Sequence, residues 1–132
     1  MIEVKSIDDL KKVIEKILKS DKKIVILSGS LGSGKTTLVK EFVKYLGISD
    51  EVTSPTFAIQ NVYANKIYHY DLYNKNVNEF LALGMLEELF KDGYHFIEWG
   101  EELEEILKGF GVDFLKIKIT TDGKKRIFEC QD

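Results

Sequence analysis

The segment 29–36 combines glycines, a lysine and a threonine in an order that can cradle a phosphate chain. It matches the pattern G-x-x-x-x-G-K-[S/T] at every fixed position. Glycines let the backbone approach phosphate oxygens closely, with amide N–H groups pointing inward. The pattern predicts that Lys35 lies against the terminal phosphates and that the Thr36 hydroxyl binds Mg²⁺. The predicted nucleotide contacts are Gly29, Ser30, Leu31, Gly32, Ser33, Gly34, Lys35, Thr36 and Thr37.

Two predicted strands end on an acidic residue, Asp71 and Glu98. Hydrolysis of a bound triphosphate needs a carboxylate at a neighbouring strand end, which completes the metal shell and orients water. The apolar pair Phe96-Ile97 directly before Glu98 makes it the better candidate for the metal-side acid. Ligands of α/β folds bind at the carboxyl ends of strands, so both acids are predicted site residues. The alternative is that either acid is a surface residue at a strand end.

Two residues next to these acids are candidates for supporting roles. His69 precedes Asp71 by two positions and therefore shares its strand face. It is interpreted either as site support or as a packed strand residue. Trp99 follows Glu98 and is the only tryptophan, a residue type that packs in cores or anchors interfaces.

A polar loop after the predicted helix of the phosphate motif is a candidate switch. Such loops sense the γ-phosphate through Mg²⁺ in many nucleotide-hydrolysing proteins. An ordinary turn built on local Ser/Thr hydrogen bonds is the alternative. The candidate residues are Thr53, Ser54 and Thr56.

The predicted elements around the phosphate motif are the ones that it requires, a buried strand before it and a helix after it. The apolar run 24–27 predicts a strand buried on both faces, as in a parallel sheet. Residues 37–46 predict a helix that Gly47 ends. Periodicity elsewhere predicts a helix after Ser6, strands at 57–63, 66–70 and 94–97, helices at 77–90 and 101–108, and a hairpin of 114–120 with 125–130. The expected class is α/β, a mixed and mostly parallel sheet flanked by helices with a C-terminal β-hairpin.

The composition of the chain bears on its number of domains and on the partners that it can bind. The chain has 132 residues with 44% hydrophobic residues, which predicts one domain spanning 1–132. The net charge of −3 argues against strong independent binding of nucleic acid, which needs clustered Lys and Arg. The sequence shows neither a signal peptide nor an apolar run that would span a bilayer, so the expected location is the cytoplasm without a membrane partner. Only one of the 19 basic residues is an arginine, Arg126.

The motifs together resemble the TsaE family, also called YjeE. The resemblance rests on the phosphate motif followed by Thr-Ser-Pro-Thr-Phe, His-Tyr-Asp-Leu-Tyr, Leu-Gly-Met and Ile-Glu-Trp, in this order from about residue 24 to residue 101. It implies a P-loop NTPase fold and a Mg²⁺-dependent ATPase, slow alone and activated by partners. That ATPase is required for the threonylcarbamoyl modification of the adenosine next to the anticodon in certain tRNAs. The implied cofactors are ATP and Mg²⁺, and the implied partners are the TsaD and TsaB proteins.

The resemblance also implies roles for particular residues. Lys35 and Thr36 would bind ATP and Mg²⁺, Glu98 would be the metal-side acid, and Asp71 would support catalysis or metal binding. The sequence departs from the family at Asn74, where the family usually has an arginine. An arginine finger contributes about 10³–10⁵ in rate. This departure therefore predicts that the protein is slow alone, or that Lys75 or a partner group completes the site.

Two other function classes are weighed against a partner-activated ATPase. A small P-loop kinase acting on a metabolite usually needs several arginines to clamp both substrates, and the single arginine argues against it. A nucleotide-dependent binding module, in which hydrolysis is incidental, stays open. A GTPase is disfavoured because the guanine-reading motif Asn-Lys-x-Asp is absent from the sequence.

Overall fold

The computed structural model describes residues 1–50, 52, 59–73 and 77–131. In this part of the chain, seven strands form one sheet in the order β1-β7-β6-β2-β5-β4-β3. The strands are β1 (Ile2–Val4), β2 (Ile24–Ser28), β3 (Gln60–Tyr63), β4 (Ile67–Asp71), β5 (Tyr94–Glu98), β6 (Leu115–Asp122) and β7 (Lys125–Gln131). The helices are α1 (Leu10–Lys19), α2 (Lys35–Tyr45), α3 (Val77–Ala82), α4 (Met85–Glu88) and α5 (Leu103–Gly109), with a 3₁₀ turn at Ile7–Asp9 before α1.

The centre of the sheet is parallel and its edges are antiparallel. Strand β2 pairs in parallel with both β5 and β6, and β4 pairs in parallel with β5. The hairpin of β6 and β7 and the strands β1 and β3 add antiparallel pairs. The predicted mixed, mostly parallel sheet with a C-terminal hairpin is confirmed, and β6 additionally joins that hairpin to the central strand.

The alternation of side chains along β2 divides the core into two layers. Val25 and Leu27 face the layer that α1 and α2 cover, whereas Ile24 and Ile26 face the layer that contains Phe80 and the buried residues of α5. All four side chains are buried, as the continuous apolar run of a central parallel strand predicts. Residues 67, 69 and 71 of β4 and residues 96 and 98 of β5 therefore lie on the α2 side.

The predicted single helix 77–90 is wrong, because the structure has two short helices there. Gly84 has a φ of 75° between α3 and α4, a left-handed conformation that interrupts an α-helix. The apolar periodicity continues through the break, which is why the pattern alone indicated one helix. The edge strand β1 was not predicted. Other differences are shifts at element ends, such as α2 starting at Lys35 rather than Thr37.

No helix in the described ranges is both long and apolar enough to cross a membrane.

Candidate nucleotide-binding site

The phosphate motif forms the connection between β2 and α2. The strand ends at Ser28, and the helix begins at Lys35 directly after Gly34, whose φ is 110°. This left-handed value favours glycine, which explains the fixed glycine before the lysine. The first N–H groups of α2 lack partners within the helix, and its dipole places positive charge there. The connection can therefore receive an anion, as the sequence predicts.

Lys35 is turned back into the loop that precedes it. Its Nζ donates to the carbonyl of Gly29 and, at 3.1 Å, to that of Ser30, and it lies 4.0 Å from the centre of the Trp99 ring. Burial lowers the pKa of Lys35, and the negative charges of Glu98, Glu101 and Asp71 oppose that shift. A bound polyphosphate would add negative charge and so favour the ammonium form further.

Thr36 and Glu98 meet at the open end of the loop. The Thr36 hydroxyl donates to Oε2 of Glu98 at 2.9 Å, although 62 positions separate the two residues. Glu98 is only 4% exposed. His69, which is fully buried, also contacts Oε2 through its Nε2. Because the carboxylate accepts, Nε2 carries the proton, and Glu98 is held from two sides.

Asp71 lies beside Glu98 at the end of the neighbouring parallel strand. The two residues are register partners between β4 and β5. The Asp71 Oδ1 accepts from the backbone N–H of Tyr73 at 2.9 Å, which turns the chain at the end of β4. The structure thus brings together both acids, His69 and the phosphate loop, which the sequence singled out separately.

The oxygen atoms at this end fit a hard divalent cation. A hydroxyl and a carboxylate are ligand types that Mg²⁺ takes in proteins together with nucleotide phosphates and water. Among the described residues, no group of three or more His, Cys, Asp or Glu could hold a metal ion by itself. Thr36 and Glu98 are the two residues whose oxygen atoms could contact such a cation here.

Two grooves meet at the loop. The first, of about 350 Å³, has Thr36, Asp71 and Glu98 in its lining. The second, of about 250 Å³, lies between the loop, the N-terminal segment and β7. Both are lined by Gly32, Ser33, Gly34 and Thr37. A ligand that follows the loop can therefore occupy both.

The backbone conformation of Trp99 was not expected from the sequence. Its φ is 60°, the left-handed region that costs a bulky residue roughly 1–2 kcal/mol. The ring lies over Lys35 and contacts the ring of Tyr73 at 4.9 Å between centroids. Trp99 therefore belongs to the site, and the strained turn directly after Glu98 is what directs it there. The motif Ile-Glu-Trp gave no signal of this geometry beyond the adjacency of the two residues.

Arg126 is the residue that sequence reasoning missed. It lies in β7, more than ninety positions after the loop, and its guanidinium donates to backbone carbonyls of the loop. Only its rarity in the composition could have drawn attention to it.

The candidate switch residues Thr53, Ser54 and Thr56 lie outside the described residues, as does Asn74. The predictions made for them stay predictions. Leu31, a predicted nucleotide contact, lines the first groove and is 67% exposed.

A helix-flanked, mostly parallel sheet with the phosphate motif directly after its central strand defines a P-loop type of α/β protein. The sequence profile described as "Threonylcarbamoyl adenosine biosynthesis protein TsaE" matches residues 4–128. The chain therefore belongs to the TsaE family.

Individual relatives agree with this assignment. A "tRNA threonylcarbamoyladenosine biosynthesis protein TsaE" of Treponema pallidum is 36% identical over 107 residues, which cover 79% of this chain and 78% of the relative. The protein of the same name from Bacillus subtilis is 33% identical over 121 residues, covering 83% of this chain and 76% of the relative. The crystal structure of Bacillus subtilis YdiB superposes with a TM-score of 0.66 at 26% identity, covering 94% of this chain and 78% of that one.

Proposed function

We propose that this protein binds ATP with Mg²⁺ and hydrolyses it in support of tRNA threonylcarbamoyladenosine biosynthesis. The observation that carries the proposal is the hydrogen bond between Thr36 and Glu98. It joins the hydroxyl at the start of α2 to the acid at the end of β5, which is the pair that a metal-bound triphosphate requires.

Each part of the proposed mechanism has its own residues. Backbone N–H groups of residues 29–37 bind the phosphates, and Lys35 offsets charge on the terminal ones. Mg²⁺, when bound, neutralises charge that develops on the phosphate oxygens. Thr36 and Glu98 would hold it, and His69 fixes the Glu98 carboxylate in the orientation that faces Thr36.

Asp71 is proposed to orient the attacking water. It lies next to Glu98 in the sheet and lines the first groove with Thr36. A carboxylate in this position can accept a hydrogen bond from water while Glu98 serves the metal side. The hydrogen bond between Thr36 and Glu98 supports this proposed division of roles.

The nucleoside is proposed to lie in the second groove. This groove begins where the first one ends, at the shared residues 32–34 and Thr37. Its lining adds the apolar side chains of Val4, Ile7, Leu10 and Phe128, against which a base can pack. The triphosphate would then extend from there toward Glu98.

TsaD and TsaB are the proposed partners, and the cytoplasm is the proposed location. The single arginine contacts the loop from the side of β7, so the described part of the chain offers no arginine at the metal-side end. A partner that supplies positive charge there would raise the rate, as arginine fingers do by about 10³–10⁵. The proposed enzyme is therefore slow by itself.

The test is ATP turnover by the purified protein, alone and with TsaD and TsaB. We expect Glu98→Gln and Asp71→Asn to lower turnover by about 100-fold while nucleotide affinity changes much less, because preorganised charge acts mainly on the transition state. Glu102→Gln, an exposed acid four positions further on, and Asp92→Asn, an exposed acid near the opposite end of β5, are matched controls. Normal turnover in both site variants would refute the assignment of the two acids.

Two other outcomes favour the other function classes. Transfer of phosphate to a small-molecule acceptor would indicate a kinase. Tight ATP binding without turnover under any partner condition would indicate a nucleotide-dependent binding module.

A further inference from the structure

The single arginine of the chain contacts the phosphate-binding loop from outside. The Nε of Arg126 donates to the carbonyl of Ser33 at 3.0 Å, and its Nη2 lies 3.5 Å from the carbonyl of Gly32. A guanidinium presents several N–H donors in a fixed plane and stays charged at every physiological pH, so it suits two adjacent carbonyls.

These contacts affect the direction in which the N–H groups of the loop point. In a trans peptide the C=O of one residue and the N–H of the next point to opposite sides. Because Arg126 holds the Ser33 carbonyl on the side of β7, the N–H of Gly34 faces away from β7, toward the groove that Lys35 and Thr36 line. The N–H of Ser33 is used within the loop, where it donates to the Ser30 carbonyl at 3.1 Å.

The loop has little else from its own side chains to hold this turn. Ser33 is 1% exposed, and its hydroxyl has no hydrogen-bond partner within the described ranges. The glycines on either side have positive φ values and no side chains. Since glycine samples many backbone conformations, the contact from Arg126 adds a restraint on residues 32–34 beyond the hydrogen bond from Ser33 to Ser30.

We propose that Arg126 is a positioning residue, which holds the phosphate-binding loop with its amides directed at the phosphates. The inference rests on the proposed function, because it concerns the same site. Arg126 acts from β7, so the C-terminal hairpin takes part in nucleotide binding without touching the phosphates. Its charge, close behind the loop, also favours an anion in front of it.

A direct contact with the nucleoside is the competing explanation, since Arg126 also lines the second groove. The two explanations differ for a ligand that has phosphates and no nucleoside. A loop-positioning residue contributes to the binding of both ADP and inorganic triphosphate, whereas a nucleoside contact contributes only to the binding of ADP.

The experiment measures the affinities of the purified protein for ADP and for inorganic triphosphate, both with Mg²⁺, by calorimetry. We expect Arg126→Gln to lower the affinity for both ligands by a similar factor of about tenfold, which corresponds to the free energy of one lost charged hydrogen bond. Arg126→Lys keeps the charge and one donor and should restore part of the affinity for both. Lys118→Gln removes an equal charge from an exposed position of the same hairpin and should bind normally.

Three outcomes overturn the proposal: a loss confined to ADP, no loss in either Arg126 variant, or an equal loss in Lys118→Gln. If Arg126→Gln fails to fold, Arg126→Lys decides, and normal affinity in that variant overturns the proposal. If the unchanged protein binds neither ligand, the proposed function itself is wrong. If it binds both and the Arg126 variants bind equally well, only the role of Arg126 is wrong.

Discussion

At the scale of single residues, the site is held by contacts between side chains that are far apart in the sequence. Glu98 accepts from Thr36 and contacts His69, and Lys35 packs against Trp99. Each of these groups is at least half-buried, so water screens their interactions less than at the surface. These contacts fix the relative positions of the described residues of the candidate site.

Lys35 is the residue whose replacement should affect binding most directly. We expect Lys35→Ala to lower the affinity for ATP by about 100-fold, because the phosphates lose a charged hydrogen-bond donor. The fold should be kept, because the contacts that Lys35 loses are to two loop carbonyls and to the Trp99 ring rather than to the hydrophobic core. Trp99 fluorescence can follow the titration, since Trp99 is the only tryptophan and lies 4.0 Å from the ammonium of Lys35.

Lys40→Ala is the matched control for this measurement, because Lys40 is exposed on the same helix. Equal affinities in the Lys35 and Lys40 variants would contradict the role of Lys35.

At the scale of elements, a buried polar network joins the start of β5 to β4 and to the segment that precedes β5. His95 accepts from the Tyr70 hydroxyl through Nδ1 at 2.7 Å and donates from Nε2 to the Lys91 carbonyl at 2.8 Å. Burial raises the pKa of Tyr70, which keeps its hydroxyl protonated and able to donate. The Tyr68 ring stacks on His95 with 4.4 Å between centroids. His95 is thus a packed residue of β5 that uses both of its ring nitrogens.

This network should make stability depend on pH. Burial lowers the pKa of His95, the hydrogen bond to Lys91 and the charge of Glu88 oppose the shift, and the charge of Lys91 adds to it. As pH falls through about 6.5, the unfolded chain takes up a proton that the folded state excludes. The free energy of unfolding should therefore fall, by at most about 1.4 kcal/mol per pH unit, until the folded pKa is reached.

The comparison is urea unfolding of the unchanged protein and of His95→Gln at pH 8 and pH 5.5. The variant should be less stable by about 1–3 kcal/mol at pH 8, because Tyr70 and Lys91 lose a buried partner. It should also lose less stability on acidification, because the other ionisable groups are common to both proteins. An identical pH dependence in the two proteins would contradict the assignment to His95.

At the scale of the whole molecule, β2 joins two core layers in one sheet. Val25 and Leu27 belong to the layer under α1 and α2, and Ile26 belongs to the layer under α5. Because both layers share one central strand, we propose that the chain 1–132 folds as a single domain. Unfolding one layer would expose one face of β2 and so weaken the other.

Leu27→Ala and Ile26→Ala test this directly, since each removes a fully buried side chain from a different layer. Each should lower the free energy of unfolding by about 2–5 kcal/mol in one common transition, seen alike by circular dichroism and by Trp99 fluorescence. Val62→Ala, at a partly exposed position of the edge strand β3, should change it by about 0.5 kcal/mol or less. Separate transitions in the two core variants would show that the layers fold independently.

The sequence by itself determined the local features of this protein. The phosphate motif, the buried run of β2 and the acids that end β4 and β5 were each predictable, because they depend on short-range spacing and on side-chain type. The α/β class and the hairpin of β6 and β7 followed from the same patterns. The predicted helix 77–90 was wrong because a left-handed backbone at Gly84 leaves the apolar periodicity intact.

Only the tertiary structure decided which distant residues meet. Strand order places β5 between β2 and β4, and this order brings Glu98 to Thr36 and His69 to Glu98. The hairpin returns β7 to the loop, where Arg126 reaches the carbonyl of Ser33. No local pattern encodes such pairings, because they depend on how strands align in the sheet rather than on neighbours along the chain. The phosphate loop was therefore visible in eight residues, whereas the residues that hold it in shape became visible only in the fold.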